Sequence, residues 1–402
     1  MRMSLGGFSV AVAALLAAGC AEGASVKGAG TGRDSAGVTI VENSSEAWTP
    51  ANAWRVAAEP VLAIGAADGP AEYQLFRIRR ALRLADQTIV VANAGSSELR
   101  FYDVHGKHIR SAGGNGDGPG EYRAMSFMGR YGADSLVVWD VQLARGTVVA
   151  ANGTYGRTIT KPAALGDFTY FTDVFADGAL LGFGAPGIQP ERERKGVRRN
   201  DVVLFRLSTA GAVDTIGQFL FNDSYITKDN TLIDLPFGRE GAFVVAGDLI
   251  HQGSGESFEI RSYSPQGKLT RITRSNKANA PLTRTTIDSM VEIRLSRMKD
   301  PGMRQMWQIF YQEVPFPKTL PAFADFLVDA HANLWVSDYH QPNALQTRWT
   351  VFDSAGRLLG EVQMPPGFSV HEIGVDYLLG SMRDEFDVER VLMFRLLKPG
   401  QS

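Results

Sequence analysis

The chain has very little cysteine: Cys20 is the single one among 402 residues. One cysteine excludes a disulfide-bonded scaffold and a zinc site made from several cysteines. Neither sign of charge is in excess, because 41 Lys and Arg residues stand against 43 Asp and Glu residues, for a formal net charge of −2. Without a surplus of basic residues, we expect no nucleic-acid partner.

Common catalytic and nucleotide-binding patterns are also missing. After the N-terminal segment the sequence contains no G-x-S-x-G, no H-E-x-x-H, no P-loop and no EF-hand loop. We therefore assign no catalytic residue and expect a binding protein more than an enzyme. Glycine, in contrast, is abundant at 43 residues, while proline is ordinary at 18, and this combination indicates a globular fold with many tight turns.

The N-terminus has the features of an export signal. An apolar run over 5–18 is too short to cross a membrane as a helix. It ends in LAAGC at 16–20, which resembles a bacterial lipobox, where cleavage leaves a lipidated cysteine. We predict a lipoprotein-type signal peptide over 1–20, lipidation of Cys20 and a flexible tether over 21–37. The protein would then be anchored by lipid in the cell envelope, outside the cytoplasm; an ordinary signal peptide with an incidental cysteine is the alternative.

A repeated unit accounts for most of the remaining sequence. The segment DGPAEY at 68–73 recurs as DGPGEY at 117–122, 49 residues later. A strand–turn–strand–loop–strand–turn–strand unit of about 45 residues has the size of a propeller blade. A short turn followed by an apolar strand recurs six times, with apolar anchors at Ile89, Leu136, Leu180, Leu249, Leu334 and Leu378.

Six such units predict an all-β fold: a six-bladed β-propeller of four-stranded blades over 38–398. The last unit ends after three strands, and 54–65 can supply its missing outer strand. The ring would then be closed by strands from both ends of the chain, which leaves no long open sheet edge. The stretch VANAGSSELRFYD at 91–103 resembles the NHL-type repeat, and LGSMRDEFDVERV at 379–391 is similar to the end of six-bladed propeller lipoproteins of bacteria. This resemblance implies the propeller fold and assigns no activity.

Loop lengths distinguish the two faces of the predicted ring. Loops longer than about 12 residues within a compact domain commonly carry function. We call the side with the long connections the long-loop face, and we predict that it binds a protein, a peptide or a glycan, with the propeller acting as a monomeric scaffold. The connections on this face are 113–124, 185–200, 221–240, 275–322, 339–347 and 383–389.

Seven residues are candidates for ligand binding: Arg77, Arg79, Asn93, Asp140, Asp338, His340 and Trp307. The two arginines alternate with apolar residues in the first inner strand, where they would bind an anion or neutralise acids of adjacent blades. The asparagine and the two aspartates each follow an apolar anchor by four residues. In that place they would bind a ligand near the funnel or accept hydrogen bonds from backbone amides of the next loop.

A metal-dependent enzyme is the alternative function. His251, His340 and His371 come from the long-loop ends of the last three blades, and three imidazoles would resemble the metal site of the amidating lyases. Lactonase-type propellers bind a divalent cation through Glu, Asn and Asp around the axis, and the acidic loop 384–389 would suit Ca²⁺. The alternative is therefore a metal-assisted hydrolase or lyase with Ca²⁺ or another divalent metal in the central funnel. Our main expectation includes no metal and no cofactor.

Residues 284–312 form the largest interruption of the repeat and predict a helical insertion between blades four and five. Thr285 and Asp288 resemble a capping box, and Asp300 followed by proline predicts the start of a second helix. Two roles fit this segment. It is either a lid over the funnel, with Met side chains and Trp307 binding a partner, or a packing element at the rim.

Overall fold

The computed structural model describes residues 30–132, 134–184, 195–339 and 346–399. The predicted signal peptide with Cys20, and the candidate His340, lie outside the described residues. Within them the chain forms 27 strands and two α-helices, which confirms the prediction of an all-β fold with a helical insertion. Neither helix in these described segments has the length and apolar character needed to cross a bilayer.

The strands fall into six sheets, which we number in chain order. Three strands precede the first repeat: β1 (Gly30–Ser35), β2 (Val38–Asn43) and β3 (Arg55–Ile64). The first sheet contains β4 (Ile78–Arg83), β5 (Ile89–Asn93), β6 (Glu98–Tyr102) and β7 (His108–Gly113). The second contains β8 (Met125–Arg130), β9 (Ser135–Asp140), β10 (Arg145–Ala150) and β11 (Tyr155–Thr160). The third contains β12 (Thr169–Val174), β13 (Leu180–Gly184), β14 (Gly196–Leu207), β15 (Val213–Ile226) and β16 (Leu232–Asp234).

The remaining three sheets include the N-terminal strands. The fourth contains β17 (Ala242–Ala246), β18 (Leu249–Gly253), β19 (Glu259–Tyr263) and β20 (Leu269–Ser275), followed outward by β2 and β1. Two helices follow, α1 (Arg284–Ser296) and α2 (Pro301–Glu313). The fifth sheet contains β21 (Phe326–Val328), β22 (Leu334–Ser337), β23 (Arg348–Phe352) and β24 (Leu358–Gln363). The sixth contains β25 (Ser369–Ile373), β26 (Tyr377–Arg383), β27 (Glu389–Leu397) and β3.

Each sheet begins with an innermost strand, and the innermost strands of successive sheets touch. β4 contacts β8, β8 contacts β12, β12 contacts β17, β17 contacts β21, β21 contacts β25, and β25 contacts β4. Six clusters of buried apolar side chains lie between these sheets, each cluster shared by two successive ones. Strands such as β5 and β9 are therefore covered on both faces, which explains why they are continuous apolar runs in the sequence.

Some of the glycine-containing turns of the repeat are held by an aspartate at their start. Asp103 accepts hydrogen bonds through Oδ1 from the backbone N–H of His105 and of Lys107, each at 2.9 Å. Gly106 occupies the left-handed region at φ 81°, which costs glycine little because it has no Cβ. Asp353 makes the same pair of bonds in the fifth sheet. This local chemistry makes the turns recognisable in the sequence.

Two sheets are larger than the predicted four strands. The third has five because β15 extends to Ile226 and pairs with β16, so much of the predicted loop 221–240 is a hairpin that β-branched and aromatic residues favour. The fourth has six because β2 pairs in parallel with β20 and antiparallel with β1. Of the tether predicted over 21–37, the described part differs from the prediction, because residues 30–35 form a strand paired to 38–43.

In the chain, the two helices come between the fourth and fifth sheets, at the predicted place. The cap of α1 is Thr283, whose side chain accepts a hydrogen bond from the Thr286 N–H, so the predicted capping box at Thr285 is two residues late. Asp300 caps α2, with proline at the first turn, as predicted. The helices and the β15–β16 hairpin share a separate apolar cluster, which includes Met290, Phe310 and Leu235.

Candidate functional site

Asn93 and Asp140 are bonded to backbone amides and lie buried at the ends of the second strands of their sheets. Asp140 is fully buried, and its carboxylate accepts hydrogen bonds from four N–H groups: those of Arg123 (2.7 Å), Ala124 (2.8 Å), Gln142 (2.9 Å) and Leu143 (2.8 Å). Asn93 accepts one from the Phe76 N–H at 2.7 Å and donates to Ser96 Oγ at 2.8 Å. Both side chains thus connect the loop that leads into the sheet with the loop between its second and third strands.

Asp338 has different surroundings. Its carboxylate pairs with the Lys277 ammonium at 2.6 Å and with the Arg348 guanidinium at 3.0 Å, and both cations also pair with Glu361. The hydrogen-bonding role that Asn93 has in the first sheet belongs here to Ser337, whose Oγ accepts from the Asp325 N–H at 2.9 Å. Among the described residues, no hydrogen bond or ion pair joins Asn93, Asp140 and Asp338 to one another.

Arg77 and Arg79 lie exposed at the start of β4, on the long-loop face. Arg77 has a left-handed backbone, with φ 56°. In the described part of the chain, neither guanidinium takes part in a hydrogen bond or ion pair. The pairing of β4 with β5 shifts between Ile78 and Arg80, and such a bulge changes the alternation of side chains along a strand. Arg80, which the alternation does not group with Arg77 and Arg79, lines the axial cavity.

His251 and His371, the two members of the predicted histidine set that the structure describes, have surroundings that do not fit a metal site. The Ala81 N–H donates to His371 Nδ1 at 3.0 Å, so the ring proton lies on Nε2 and is donated to Ser381 Oγ at 3.1 Å. Burial lowers the pKa of His371 to about 3, and the charge of Arg80 acts in the same direction. Burial likewise lowers the pKa of His251 to about 3; its Nδ1 is hydrogen-bonded to Ser262 Oγ. Within the described ranges, no group of three or more His, Cys, Asp or Glu side chains could hold a metal ion.

The acidic loop after β26 is held by arginines. Asp384 accepts hydrogen bonds from the backbone N–H groups of Phe386 and Val388, each at 3.0 Å, and pairs with Arg390 at 3.1 Å. These amides, above all that of Val388, hold the pKa of Asp384 below its usual range. Arg383 pairs with Asp387 and Glu389 in the same loop. The carboxylates of Asp384, Asp387 and Glu389 are therefore paired with groups of the protein itself.

Three phenylalanines are exposed on the long-loop face. Phe76 precedes β4 and is 61% exposed, Phe168 precedes β12 and is 73% exposed, and Phe386 lies at the tip of the β26–β27 loop and is 78% exposed. Phe76 and Phe168 occupy equivalent places, because each lies against a glycine at or just after the end of the second strand of its sheet, Gly95 and Gly184. Sequence patterns did not reveal this set, since alternation alone places Phe76 on the apolar side of its strand.

Trp307, the last candidate that the structure describes, lies in α2 and is partly buried. Its ring packs edge-on against Phe310 at 5.2 Å and beside Tyr311 at 5.7 Å, measured between ring centroids. The exposed apolar side chains of α2 are Met303, Met306 and Ile309, each more than half exposed. The inward face of the helix is thus used for packing on the β15–β16 hairpin, and a different face is open to solvent.

A cavity of about 690 Å³ lies on the axis, at the end opposite to the long-loop face. Its wall contains residues from all six sheets, at the C-terminal ends of the innermost strands and in the short turns that follow them. We call this side the short-loop face. The polar side chains of the wall include Arg80, Arg83, Arg130, Asp173, His371 and Glu372.

Two of the three arginines in the cavity have compensating partners. Arg130 pairs with Glu372 at 2.8 Å and also bonds to the carbonyl of Arg83. The Arg83 guanidinium lies 4.8 Å from the centroid of the Tyr377 ring and donates to Gln87 Oε1 at 3.0 Å. Arg80 differs, because its Nε is buried without any hydrogen-bond acceptor.

The sixth sheet also caps the free amides of β4. The Ile78 N–H donates to Glu389 Oε2 at 2.7 Å, and the Arg83 N–H donates to Glu372 Oε2 at 2.9 Å. Between these two amides, the Ala81 N–H donates a hydrogen bond to His371 Nδ1. Three side chains of the C-terminal sheet thus satisfy the exposed edge of the first inner strand, an edge that would otherwise carry unpaired donors.

Comparisons with known proteins give the fold and no family. No protein-family model matches the chain, and no curated protein matches it. A member of the DUF4221 family from Bacteroides vulgatus is similar over 86% of this chain and 99% of its own, with 12% identity and a TM-score of 0.53. A gluconolactonase from Xanthomonas campestris covers 85% of this chain and 100% of its own, with 14% identity and a TM-score of 0.42. A virginiamycin B lyase from Staphylococcus aureus covers 80% and 95%, with 9% identity and a TM-score of 0.41. The likeness to the first of these supports a β-propeller fold and carries no activity to this chain.

Proposed function

We propose that the protein is a six-bladed β-propeller of the cell envelope whose long-loop face binds another protein. The observation that carries this proposal is the exposure of Phe76, Phe168 and Phe386 on that face, at 61%, 73% and 78%. Exposed apolar surface marks a site of protein interaction where such side chains form a patch rimmed by polar residues.

The proposal of a closed six-bladed ring has three supports. The innermost strands of the six sheets contact one another in cyclic order, from β4 to β25 and back to β4. Each pair of successive sheets encloses its own apolar cluster. β3, from the N-terminal side, pairs with β27, so strands from both ends of the chain meet in one sheet.

The nature of the exposed groups favours a protein partner. Phe76 is followed by Arg77, and Arg79 is exposed close by without a partner in the described chain. Aromatic residues and arginine are the types enriched at protein–protein interfaces, where they carry a large share of the binding free energy. We place the partner on this surface and treat a glycan as an outcome that the experiment can reveal.

Location in the cell envelope rests on the sequence of the first 37 residues. The apolar run and the lipobox-like ending at Cys20 predict export and lipid anchoring. A lipid-anchored propeller with an apolar face would capture or scaffold a second envelope protein near the membrane.

The test is crosslinking of the intact protein in envelope membranes, followed by identification of the crosslinked proteins. We expect a variant with Phe76→Ser, Phe168→Ser and Phe386→Ser to lose the crosslinked species that the wild type gives. A matched control carries Val104→Ser and Val375→Ser, which remove two exposed apolar side chains from turns on the short-loop face.

Both variants should unfold at the wild-type temperature, since the replaced side chains are exposed. Equal crosslinking by the wild type and the triple variant would contradict the proposal. Loss of binding to immobilised envelope glycans, with protein crosslinks unchanged, would show that the face binds a glycan instead.

A further inference from the structure

The axial cavity at the short-loop face has the dimensions of a small-molecule site. Its volume of about 690 Å³ falls within the range of roughly 300–1,000 Å³ that is usual for ligand pockets. Much of the wall is aliphatic, with Leu82, Val174, Val244, Leu327 and Ile373 contributed by five of the six sheets. Such a wall suits the apolar body of a small ligand. The cavity lies opposite to the long-loop face and is independent of the function proposed for that face.

Of the three arginines in this cavity, Arg80 is the one that lacks a protein partner. Within the described residues its guanidinium makes no ion pair, and its Nε is buried with no acceptor. A buried donor left without an acceptor costs about 1–3 kcal/mol, and a charged one more. The planar fork of N–H groups on arginine matches the two oxygens of a carboxylate. A ligand carboxylate would therefore supply the hydrogen-bond acceptor and the negative charge that Arg80 lacks within the protein.

Asp173 gives the same cavity an opposite charge. Its Oδ2 accepts a hydrogen bond from the Val245 N–H, and its Oδ1 accepts one from the Val174 N–H, both at 2.8 Å. Burial raises the pKa of this carboxyl group, while the nearby charge of Arg80 acts in the other direction. Arg80 and Asp173 line the same cavity, and no ion pair joins them. The fold thus holds two opposite charges apart, in one cavity.

We propose that this cavity binds a small zwitterion of the amino-acid type, with its carboxylate on Arg80, its ammonium group on Asp173 and its side chain on the aliphatic wall. A molecule that carries an ammonium group and a carboxylate on one carbon atom can pair with both protein groups at once. A simple anion would meet the repulsion of Asp173, and a simple cation would meet that of Arg80.

The experiment is calorimetric titration of the full-length protein with L-leucine, N-acetyl-L-leucine and L-leucinamide. The second probe lacks the ammonium group, and the third lacks the carboxylate. We expect L-leucine to bind, and each blocked probe to bind at least about tenfold more weakly, which corresponds to about 1.4 kcal/mol. Glycine, L-phenylalanine and L-glutamate are titrated in parallel, so that the choice of side chain does not decide the result.

Variants of the protein test which side chain contacts each charged group of the ligand. Arg80→Gln should weaken L-leucine at least about tenfold and make L-leucine and L-leucinamide bind equally, since the carboxylate has lost its contact. Asp173→Asn should make L-leucine and N-acetyl-L-leucine bind equally; if this variant does not fold, the N-acetyl probe on the wild type still tests the same contact. Arg33→Gln, which removes an exposed arginine of β1 that lies outside the cavity, is the control and should bind like the wild type.

Three results would overturn the proposal. The first is the absence of binding by all four amino acids up to about 5 mM, a concentration that detects even weak ligands. The second is wild-type affinity for L-leucine in Arg80→Gln. The third is equal binding of N-acetyl-L-leucine and L-leucine by the wild type, which would show an anion site without a role for Asp173.

Discussion

Replacement of Asp140 by alanine should destabilise the second sheet strongly, without any involvement of a metal. The carboxylate is fully buried and accepts hydrogen bonds from four backbone N–H groups, two on the loop before β8 and two on the loop after β9. Arg123 and Gln142 are exposed residues, so water can replace the carboxylate at their amides. The amides of Ala124 and Leu143 are half-buried and lose their acceptor.

The magnitude follows from these two classes of amide. Each rehydrated amide costs the net value of a hydrogen bond, about 1 kcal/mol, and each orphaned amide costs about 1–3 kcal/mol. The expected loss in the free energy of unfolding is therefore about 4–8 kcal/mol, a large part of the roughly 5–15 kcal/mol that stabilises an ordinary domain. Asp140→Asn keeps one carbonyl oxygen and should fall between alanine and the wild type.

The assay is urea-induced unfolding followed by tryptophan fluorescence, with Asp338→Ala as the control. Asp338 is partly exposed and pairs with Lys277 and Arg348, which water can solvate, so its loss should cost about 1 kcal/mol or less. Equal midpoints for Asp140→Ala and Asp338→Ala would refute the reasoning. A wild type that loses stability in EDTA to the level of Asp140→Ala would instead make Asp140 a metal ligand.

Three further outcomes are expected. The pKa of His251 is about 3 in the folded protein against an ordinary 6.5, so the unfolded chain binds the extra proton and the free energy of unfolding falls as the pH decreases from 6.5 toward 3. Between pH 6.5 and pH 5 this contribution is about 2 kcal/mol, and His251→Gln should remove it in urea unfolding at the two pH values. An unchanged pH dependence in the variant would contradict a buried neutral imidazole. Phe310→Ala in α2 should lower the free energy of unfolding by about 3–5 kcal/mol because Phe310 packs on the β15–β16 hairpin. Met306→Ala, at a side chain 59% exposed, should change the unfolding midpoint little, and equal effects of the two variants would mean that the helices do not cover that hairpin. Cys20→Ala should move the protein from the membrane fraction to the soluble fraction, and unchanged membrane retention would exclude anchoring by lipid.

Features set by neighbours in the sequence could be predicted from the sequence. The turn at Asp103 and Gly106 needs an acceptor for two nearby amides and a residue that tolerates a positive φ, so its chemistry is local. The second strands of the repeats are apolar on both faces because a sheet covers each face, and a run such as 89–92 shows this directly. The start of α2 was predicted correctly because its cap and its proline are adjacent in the sequence. The cap of α1 at Thr283 was misplaced because several threonines in that stretch can serve as caps.

Features set by distant parts of the chain came from the tertiary structure alone. Alternation along β4 predicts that Arg79 and Phe76 lie on opposite sides of a regular strand. The structure has a bulge after Ile78, places Arg80 in the axial cavity and leaves Phe76 in solvent. Nothing in the segment near Asp173 indicates that it shares a cavity with Arg80, since the two belong to different sheets.

The sequence by itself therefore determined the repeat, the strand-rich fold and the position of the helical insertion, because each depends on periodicity and turn chemistry within a few tens of residues. The tertiary structure decided which polar residues are structural and which remain open to a ligand. Asp140 and His371 have their oxygen and nitrogen atoms occupied by amides and a hydroxyl group, whereas Arg80 does not. That difference arises where strands from all six sheets meet at the axis, and contacts of that range leave no pattern in a single sequence.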